Sequence, residues 1–408
     1  MKIIKLLLFI FLKNLNSTYD GIIIGGGGYS RGIGGIGLNY LSCFFEEISD
    51  LKLGYISLEE FDEDLNLKNI SIAQKTDLAN VKLFTYLLAI KDGDIVKDLS
   101  SELIENSVIH CAVSMLECSY LPNFWVNILN SKFDMVIVPD DWLIKMYQNS
   151  GVNIPIFKLD LVVDYDGLIK HKIKKQPFIF GMVAGLLEDK NIDKVIVAYN
   201  DEFNNNDKFR LKIKVSGAKS FNPNLFKKIH DLAKNNKNIE ILVENLDRHK
   251  YISFLNTFDC FVLPSRGEGF SITTREALFR EIPCILPNHT AFKTFCDTEC
   301  IHELKSFKEK INNYTCFGEF KAKKFDTNII DISKAMRYVY DNFKLEKNKT
   351  LLAQNILINS TKEKIFLKLQ TLFKPKNIEL GNNNLLLESK IITNSKELYQ
   401  KYLKFMVS

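Results

Sequence analysis

Two glutamates, Glu268 and Glu276, stand eight residues apart in the segment Ser265-Arg-Gly-Glu-Gly-Phe-Ser-Ile-Thr-Thr-Arg-Glu-Ala-Leu278. The run before it, 260–263, reads as a strand, and a helix is expected to start near Ser271. A helix start offers unpaired backbone N–H groups and the positive end of the helix dipole, a ready place for a phosphate. Gly267 and Gly269 let the backbone come close to a ligand. Glu268 is then expected on the loop edge and Glu276 further along the helix. Two carboxylates at that offset can grip different parts of an extended ligand through its hydroxyls. Taken alone, the spacing is also that of a turn with capping carboxylates.

A second candidate lies near the start of the chain. Gly25-Gly-Gly-Gly-Tyr-Ser-Arg-Gly-Ile-Gly-Gly-Ile-Gly37 follows a β-branched run at 21–24. Gly32, Gly34 and Gly37 satisfy G-x-G-x-x-G, and Glu59 and Glu60 follow the next strand-like run. That is a dinucleotide fingerprint in context and motivates an NAD- or FAD-dependent oxidoreductase as a rival reading. The pattern is weak, because eight glycines among thirteen residues contain almost any spacing. Cys296, Cys300 and His302 do not have a standard zinc spacing and have no fourth ligand nearby, so no metal is expected there. No Ser-His-Asp or Cys-His nucleophile arrangement stands out.

These residues need a frame. Strand-like and helix-like patterns alternate along the chain, which argues for α/β architecture with parallel sheets. Strands are expected at 21–24, 51–58, 107–113, 135–138, 178–183, 211–215, 239–243 and 260–263. Ile192, Val195, Ile196 and Tyr199 have the i, i+3, i+4, i+7 spacing of a helix with one buried face. Ile36, Tyr40, Cys43 and Phe44 share one helical face, as do Leu225, Ile229 and Leu232, and Ile332, Ala335, Met336 and Val339. A basic stretch from His171 to Lys175 interrupts the periodicity and reads as a linker. The expected division is 1–165, 176–345 and a helical tail at 346–408. In that tail Ile365, Leu369, Leu372 and Phe373 fit a helix stopped by Pro375, and Leu398, Tyr402 and Phe405 fit another.

The 408 residues are 46% hydrophobic and 25% charged, which excludes wholesale disorder, collagen-like repeats and a polytopic membrane protein. A net charge of +5 does not suggest a nucleic-acid binder, though it suits a brief encounter with an anionic membrane. Eight scattered cysteines read as reduced thiols of a cytoplasmic protein. The N-terminus has Lys2 and Lys5 ahead of an apolar run at 6–12. That run is too short to span a bilayer and no small-x-small cleavage site follows, so a buried first element is expected rather than a signal peptide. An interfacial anchor on the inner face of the membrane is the remaining reading.

The segment Pro264-Ser-Arg-Gly-Glu-Gly-Phe-Ser271, with Glu-Ala-Leu at 276–278 and Ile-Pro-Cys-Ile at 282–285, resembles the donor-site signature of retaining GT-B glycosyltransferases of the family 4 type. The run at 178–199 resembles the first strand and helix of that family's C-terminal domain, and 133–142 resembles the end of its N-terminal domain. The resemblance implies two Rossmann-like domains facing across a cleft, followed by a helical tail that crosses back to the first domain. It implies transfer of a sugar from a UDP- or GDP-linked donor to an acceptor hydroxyl with retention, without a metal or resident cofactor. The acceptor it suggests is a surface glycan or lipid-linked glycan. By position, Glu276 would bind the ribose, Glu268 would face the transferred sugar, and Gly269, Phe270 and Ser271 would bind sugar or diphosphate. Lys190 would stabilise the leaving diphosphate. Gly34 and Gly35 would belong to the loop that closes over the donor, and Glu117 and His110 would line the cleft. One departure stands out: many relatives carry an Arg shortly before the lysine, where this chain has Gly185. Another cation would then have to serve, or the chain would be a non-catalytic subunit of this type. Arg266 and Arg275 are close in sequence.

Overall fold

The structure is a computed structural model. It describes the backbone of 21–25, 53–57, 70–72, 83–88 and 109–365, except 172–176, 217–221, 244–245, 311–321 and 362. The N-terminal run, the glycine loop beyond Gly25 with Gly34 and Gly35, the helix expected around Tyr40, Glu59 and Glu60, and the tail beyond 365 lie outside the described residues.

Seven parallel strands form the first sheet: β1 (Gly21–Gly25), β2 (Leu53–Ser57), β3 (Ile70–Ile72), β4 (Leu83–Leu88), β5 (Ile109–Ser114), β6 (Met135–Val138) and β7 (Ile156–Lys158). Their spatial order is β3-β2-β1-β4-β5-β6-β7. Two helices accompany its second half, α1 (Asn123–Lys132) and α2 (Asp141–Asn149). α2 starts where the sequence places acidic residues: Asp140 accepts a hydrogen bond from the Trp142 amide at 2.9 Å and caps it.

Six parallel strands form the second sheet: β8 (Phe178–Gly185), β9 (Phe209–Ser216), β10 (Ile239–Leu242), β11 (Cys260–Val262), β12 (Cys284–Pro287) and β13 (His302–Leu304). The order is β10-β9-β8-β11-β12-β13, again that of a doubly wound sheet. The crossover helices are α3 (Ile192–Phe203), α4 (Pro223–Ala233), α5 (Arg248–Leu255), α6 (Ile272–Phe279) and the short α7 (Lys293–Cys296). The helical stripe read from the sequence is the core face of α3: Ile192, Val195, Ile196, Tyr199 and Phe203 are all buried. A two-stranded antiparallel sheet, β14 (Phe307–Lys310) with β15 (Lys323–Asp326), follows β13. Then come α8 (Ile329–Asp341), α9 (Phe343–Lys349) and α10 (Gln354–Asn359). α8 packs on α3, and Ala353 and Leu357 join the core of the second sheet. The Val163 amide donates to the Ser360 carbonyl at 2.9 Å, so the described tail reaches the connection between the sheets.

β3, β7 and β13 have three residues each, too few for a period to declare itself, and the sequence reading did not anticipate them or the six-residue β4. His171 corrects the linker reading at its first residue. It is buried, its Nε2 lies 2.6 Å from Asp259 Oδ1, and its amide bonds the Arg280 carbonyl.

Candidate functional site

In a doubly wound sheet, a crevice opens beyond the carboxyl ends of the strands where the winding reverses. In the second sheet that point lies between β8 and β11, which pair in parallel through Phe180–Cys260 and Gly181–Phe261. β8 leads into Lys190 through a 3-10 turn at Glu188–Lys190, and β11 leads into Glu268. The two loops are tied together. The Arg266 amide donates to the Asp189 carbonyl at 2.7 Å, and the Asn191 side-chain amide donates to the Pro264 carbonyl at 2.8 Å.

Lys190 and Glu268 meet at the centre, Nζ to Oε1 at 2.5 Å. Lys190 is therefore not the solvated helix-start lysine that its position alone suggests. Burial pulls its pKa down, but the Glu268 and Glu117 carboxylates outweigh this and hold it above the usual lysine value. Glu268 is held by its backbone as well: its amide donates to Thr290 Oγ1 at 3.1 Å, and its carbonyl accepts from Ala291 at 3.1 Å. Glu117 belongs to the loop after β5 in the first sheet. Burial raises its carboxyl pKa, Lys190 opposes this, and Glu268 adds to it.

The two glycines lie where the loop after β5 comes close. A Cβ on Gly267 would stand 2.1 Å from the Glu117 carbonyl, and one on Gly269 would stand 2.5 Å from the sulfur of Met115. On the side where a Cβ would stand, both glycines face the first-sheet loop. The absent side chains let the Glu117 backbone and the Met115 side chain come close to this loop.

Between them and α6, Phe270 is buried with Leu161 and Val163. Ser271 has φ 57° and shares a hydrogen bond with Thr274 Oγ1 at 2.7 Å. Its hydroxyl does not cap α6, so the first-turn amides keep their donors toward the loop. Glu276 is almost fully buried on α6. It accepts from Tyr251 Oη at 2.6 Å and from Arg248 Nη1 at 3.1 Å, both on α5. Burial raises its pKa despite those two donors. Arg248 and Tyr251 carried no spacing signal in the sequence.

The two arginines nearest in sequence turn elsewhere. Arg275 lies inside the protein with its guanidinium 3.4 Å above the Phe270 ring, bonded to the Phe270 carbonyl and 4.0 Å from Asp140. Arg266 pairs with Glu309 of β14. His110 is on β5 in register with Phe84. Cys300 is buried and donates toward the Phe295 carbonyl. Among the described residues no group of three or more His, Cys, Asp or Glu could hold a metal ion, and no helix is long and apolar enough to cross a membrane.

With this geometry in place, the family match falls on the part of the chain that carries the site. Residues 168–298 match the family model described as Glycosyl transferases group 1, a span that contains Lys190, Glu268 and Glu276. Over 177 residues the chain is 27% identical to the capsular polysaccharide biosynthesis glycosyltransferase CapM of Staphylococcus aureus, covering 43% of this chain and 41% of that protein. The chain thus spans about two-fifths of the length of that relative. Among solved structures, Anabaena Alr3699/HepE in complex with UDP and glucose superposes with a TM-score of 0.62 at 10% identity, covering 86% of this chain and 99% of that one. A glycosyltransferase from Rickettsia africae gives 0.60 at 12% identity over 88% and 100%. Sucrose-phosphate synthase of Thermosynechococcus elongatus gives 0.62 at 10% over 86% and 98%. Likeness at this identity is one of fold, and the fold is GT-B: two Rossmann-like sheets with a helical C-terminal extension.

Proposed function

We propose that this chain, a GT-B fold with a group 1 glycosyl transferase segment at 168–298, is a retaining glycosyltransferase that uses a nucleotide-sugar donor. The observation that carries the reading is the Lys190–Glu268 pair at the switch point of the second sheet. An extended anionic ligand entering there meets a half-buried cation, a carboxylate and the amides at the start of α6 in succession. Glu276 would take the ribose hydroxyls, exchanging part of its bonding with Arg248 and Tyr251 for the ligand's. Glu268 would face the transferred sugar. Gly269, Phe270 and Ser271 would present backbone to sugar and diphosphate. Glu117 would line the acceptor side, with His110, Gly34 and Gly35 completing the cleft.

In the proposed reaction the bond from the sugar's anomeric carbon to the phosphate oxygen breaks. The acceptor oxygen bonds to that carbon on the same face, and the acceptor proton passes to the leaving phosphate. Lys190 stabilises the charge that develops on the diphosphate, the role an electrostatic clamp fills in phosphate-leaving reactions. The donor is a UDP- or GDP-sugar, and no resident cofactor or metal takes part in this reading. The likeness to a capsular polysaccharide enzyme favours a surface glycan or lipid-linked glycan as acceptor, met in the cytoplasm at the inner face of the membrane. The oxidoreductase reading is not favoured, because nothing in it accounts for Lys190, Glu268 and Glu276 lying together in the matched segment.

Thermal unfolding of the protein with UDP, GDP, ADP and NAD in separate wells tests the reading. A ligand at a hundredfold its dissociation constant stabilises by roughly 2.7 kcal/mol. A shift with UDP or GDP that is lost in Glu276→Ala is expected; a shift with NAD alone overturns the proposal. Release of the nucleoside diphosphate from a nucleotide-sugar by the chain alone separates an enzyme from a non-catalytic subunit.

A further inference from the structure

Resting on the glycosyltransferase reading, we infer that Lys324 of β15 is the second cation of the diphosphate site and replaces the side chain absent at Gly185. The matched segment ends at residue 298, so Lys324 lies outside it, on a strand that belongs to neither large sheet. The geometry starts from Gly185. It closes β8, and a Cβ there would meet only Leu187, at 3.6 Å. Nothing in the backbone requires glycine, so the missing side chain is not a packing necessity.

Lys324 arrives at the same loop from the other side. β15 is fastened along its length. The Lys323 amide donates to Ser119 Oγ at 2.8 Å, and its carbonyl accepts from the Ser119 amide at 3.2 Å. The Phe325 amide donates to the Arg266 carbonyl at 3.3 Å, and the Phe325 ring stacks on His289 with centroids 4.3 Å apart. Asp326 accepts from Asn191 at 3.0 Å and from Lys194 at 2.7 Å. These contacts pin Lys324 among the loops that carry Glu117, Lys190 and Glu268.

The ammonium of Lys324 pairs with Asp189, the residue just before Lys190. The two partners are unequally covered: the Lys324 side chain is 8% exposed and the Asp189 side chain 35%. Asp189 can turn to water at little cost, while Lys324 cannot. Burial also drags the Lys324 pKa down to about 8, with the nearby Glu117 opposing it. A buried ammonium paired with a partly exposed carboxylate can exchange that carboxylate for a doubly charged ligand. Asp189 thus holds the place of the diphosphate in the free protein and yields it when the donor binds.

The experiment compares affinities for UDP, or GDP if that is the nucleotide bound, with affinities for the corresponding nucleoside by titration calorimetry. Lys324→Met is expected to weaken the diphosphate by about 10- to 100-fold, the worth of a charged hydrogen bond, and to leave the nucleoside unchanged. Lys324→Arg is expected to restore most of the loss. Asp189→Asn, which removes the competitor, is expected to tighten the diphosphate several-fold, and this arm stands if the methionine variant does not fold. An unchanged ratio of diphosphate to nucleoside affinity in Lys324→Met, or no gain in Asp189→Asn, overturns the assignment. A wild-type protein that binds neither UDP nor GDP overturns the glycosyltransferase reading itself.

Discussion

The segment from Ser265 to Leu278 has two ends with opposite characters. At its loop end, Glu268 meets a half-buried lysine, and three different elements hold its backbone, its side chain and its neighbours. At its helix end, Glu276 meets an arginine that is itself two-fifths exposed and a tyrosine hydroxyl. One carboxylate sits in a locked ion pair, the other in a set of donors that solvent can reach. The lesson is that a repeated residue type at fixed spacing need not do repeated work. The loop end is built to hold charge still, and the helix end is built to exchange hydrogen-bond partners.

The largest expected effect on this contrast comes from acid. His289 stacks beside the loop end, and burial holds its pKa down to about 3 from an ordinary 6.5. Between those values the unfolded chain binds the proton and the folded chain does not, so this stability is complete above pH 6.5 and is lost as pH falls toward 3. The loss between pH 7 and pH 4 is about 3 kcal/mol, read by urea unfolding, and His289→Phe should flatten it. Next, Lys190→Met and Glu268→Gln should each lower the release of nucleoside diphosphate from a nucleotide-sugar by about 10²-fold, with nucleotide affinity much less changed in Glu268→Gln. A smaller effect is expected at the contact between the sheets. Gly267→Ala should lower stability by about 2 kcal/mol in chemical denaturation, because its Cβ would collide with the Glu117 carbonyl. The smallest belongs to the helix end: Tyr251→Phe should change nucleotide affinity by less than about tenfold and leave turnover alone, since it removes one hydrogen bond from Glu276. If Tyr251→Phe cripples turnover while Glu268→Gln does not, the contrast is drawn the wrong way round.

Much of the frame was legible in the sequence. β6 is the run expected at 135–138, and α3 buries the stripe from Ile192 to Tyr199, because a continuous apolar run and an amphipathic helix both write their burial into residue order. Lys190 and Glu268 were singled out through resemblance, and the structure brings them within hydrogen-bond distance. Local composition could not give Arg248, Tyr251 or Lys324. Their relation to the site depends on loops that fold together from distant parts of the chain, and a single lysine in a lysine-rich stretch carries no periodic signal. Gly267 and Gly269 were read as points of close backbone approach, and the structure puts Glu117 and Met115 on their Cβ side. Close approach is visible in the sequence, whereas what approaches is not.

The β14–β15 ribbon also has a mechanical meaning. By sequence it follows the second sheet, yet Ser119 of the first grips Lys323 from both its amide and its carbonyl side. Two residues on, Phe325 and Asp326 are fastened to Arg266 and Asn191 of the second. The strand is therefore a tie rod bolted to both halves of the molecule. Any rotation of one half about the other must either stretch those bolts or drag β15 along, so the angle between the halves and the position of the ammonium at residue 324 are a single degree of freedom.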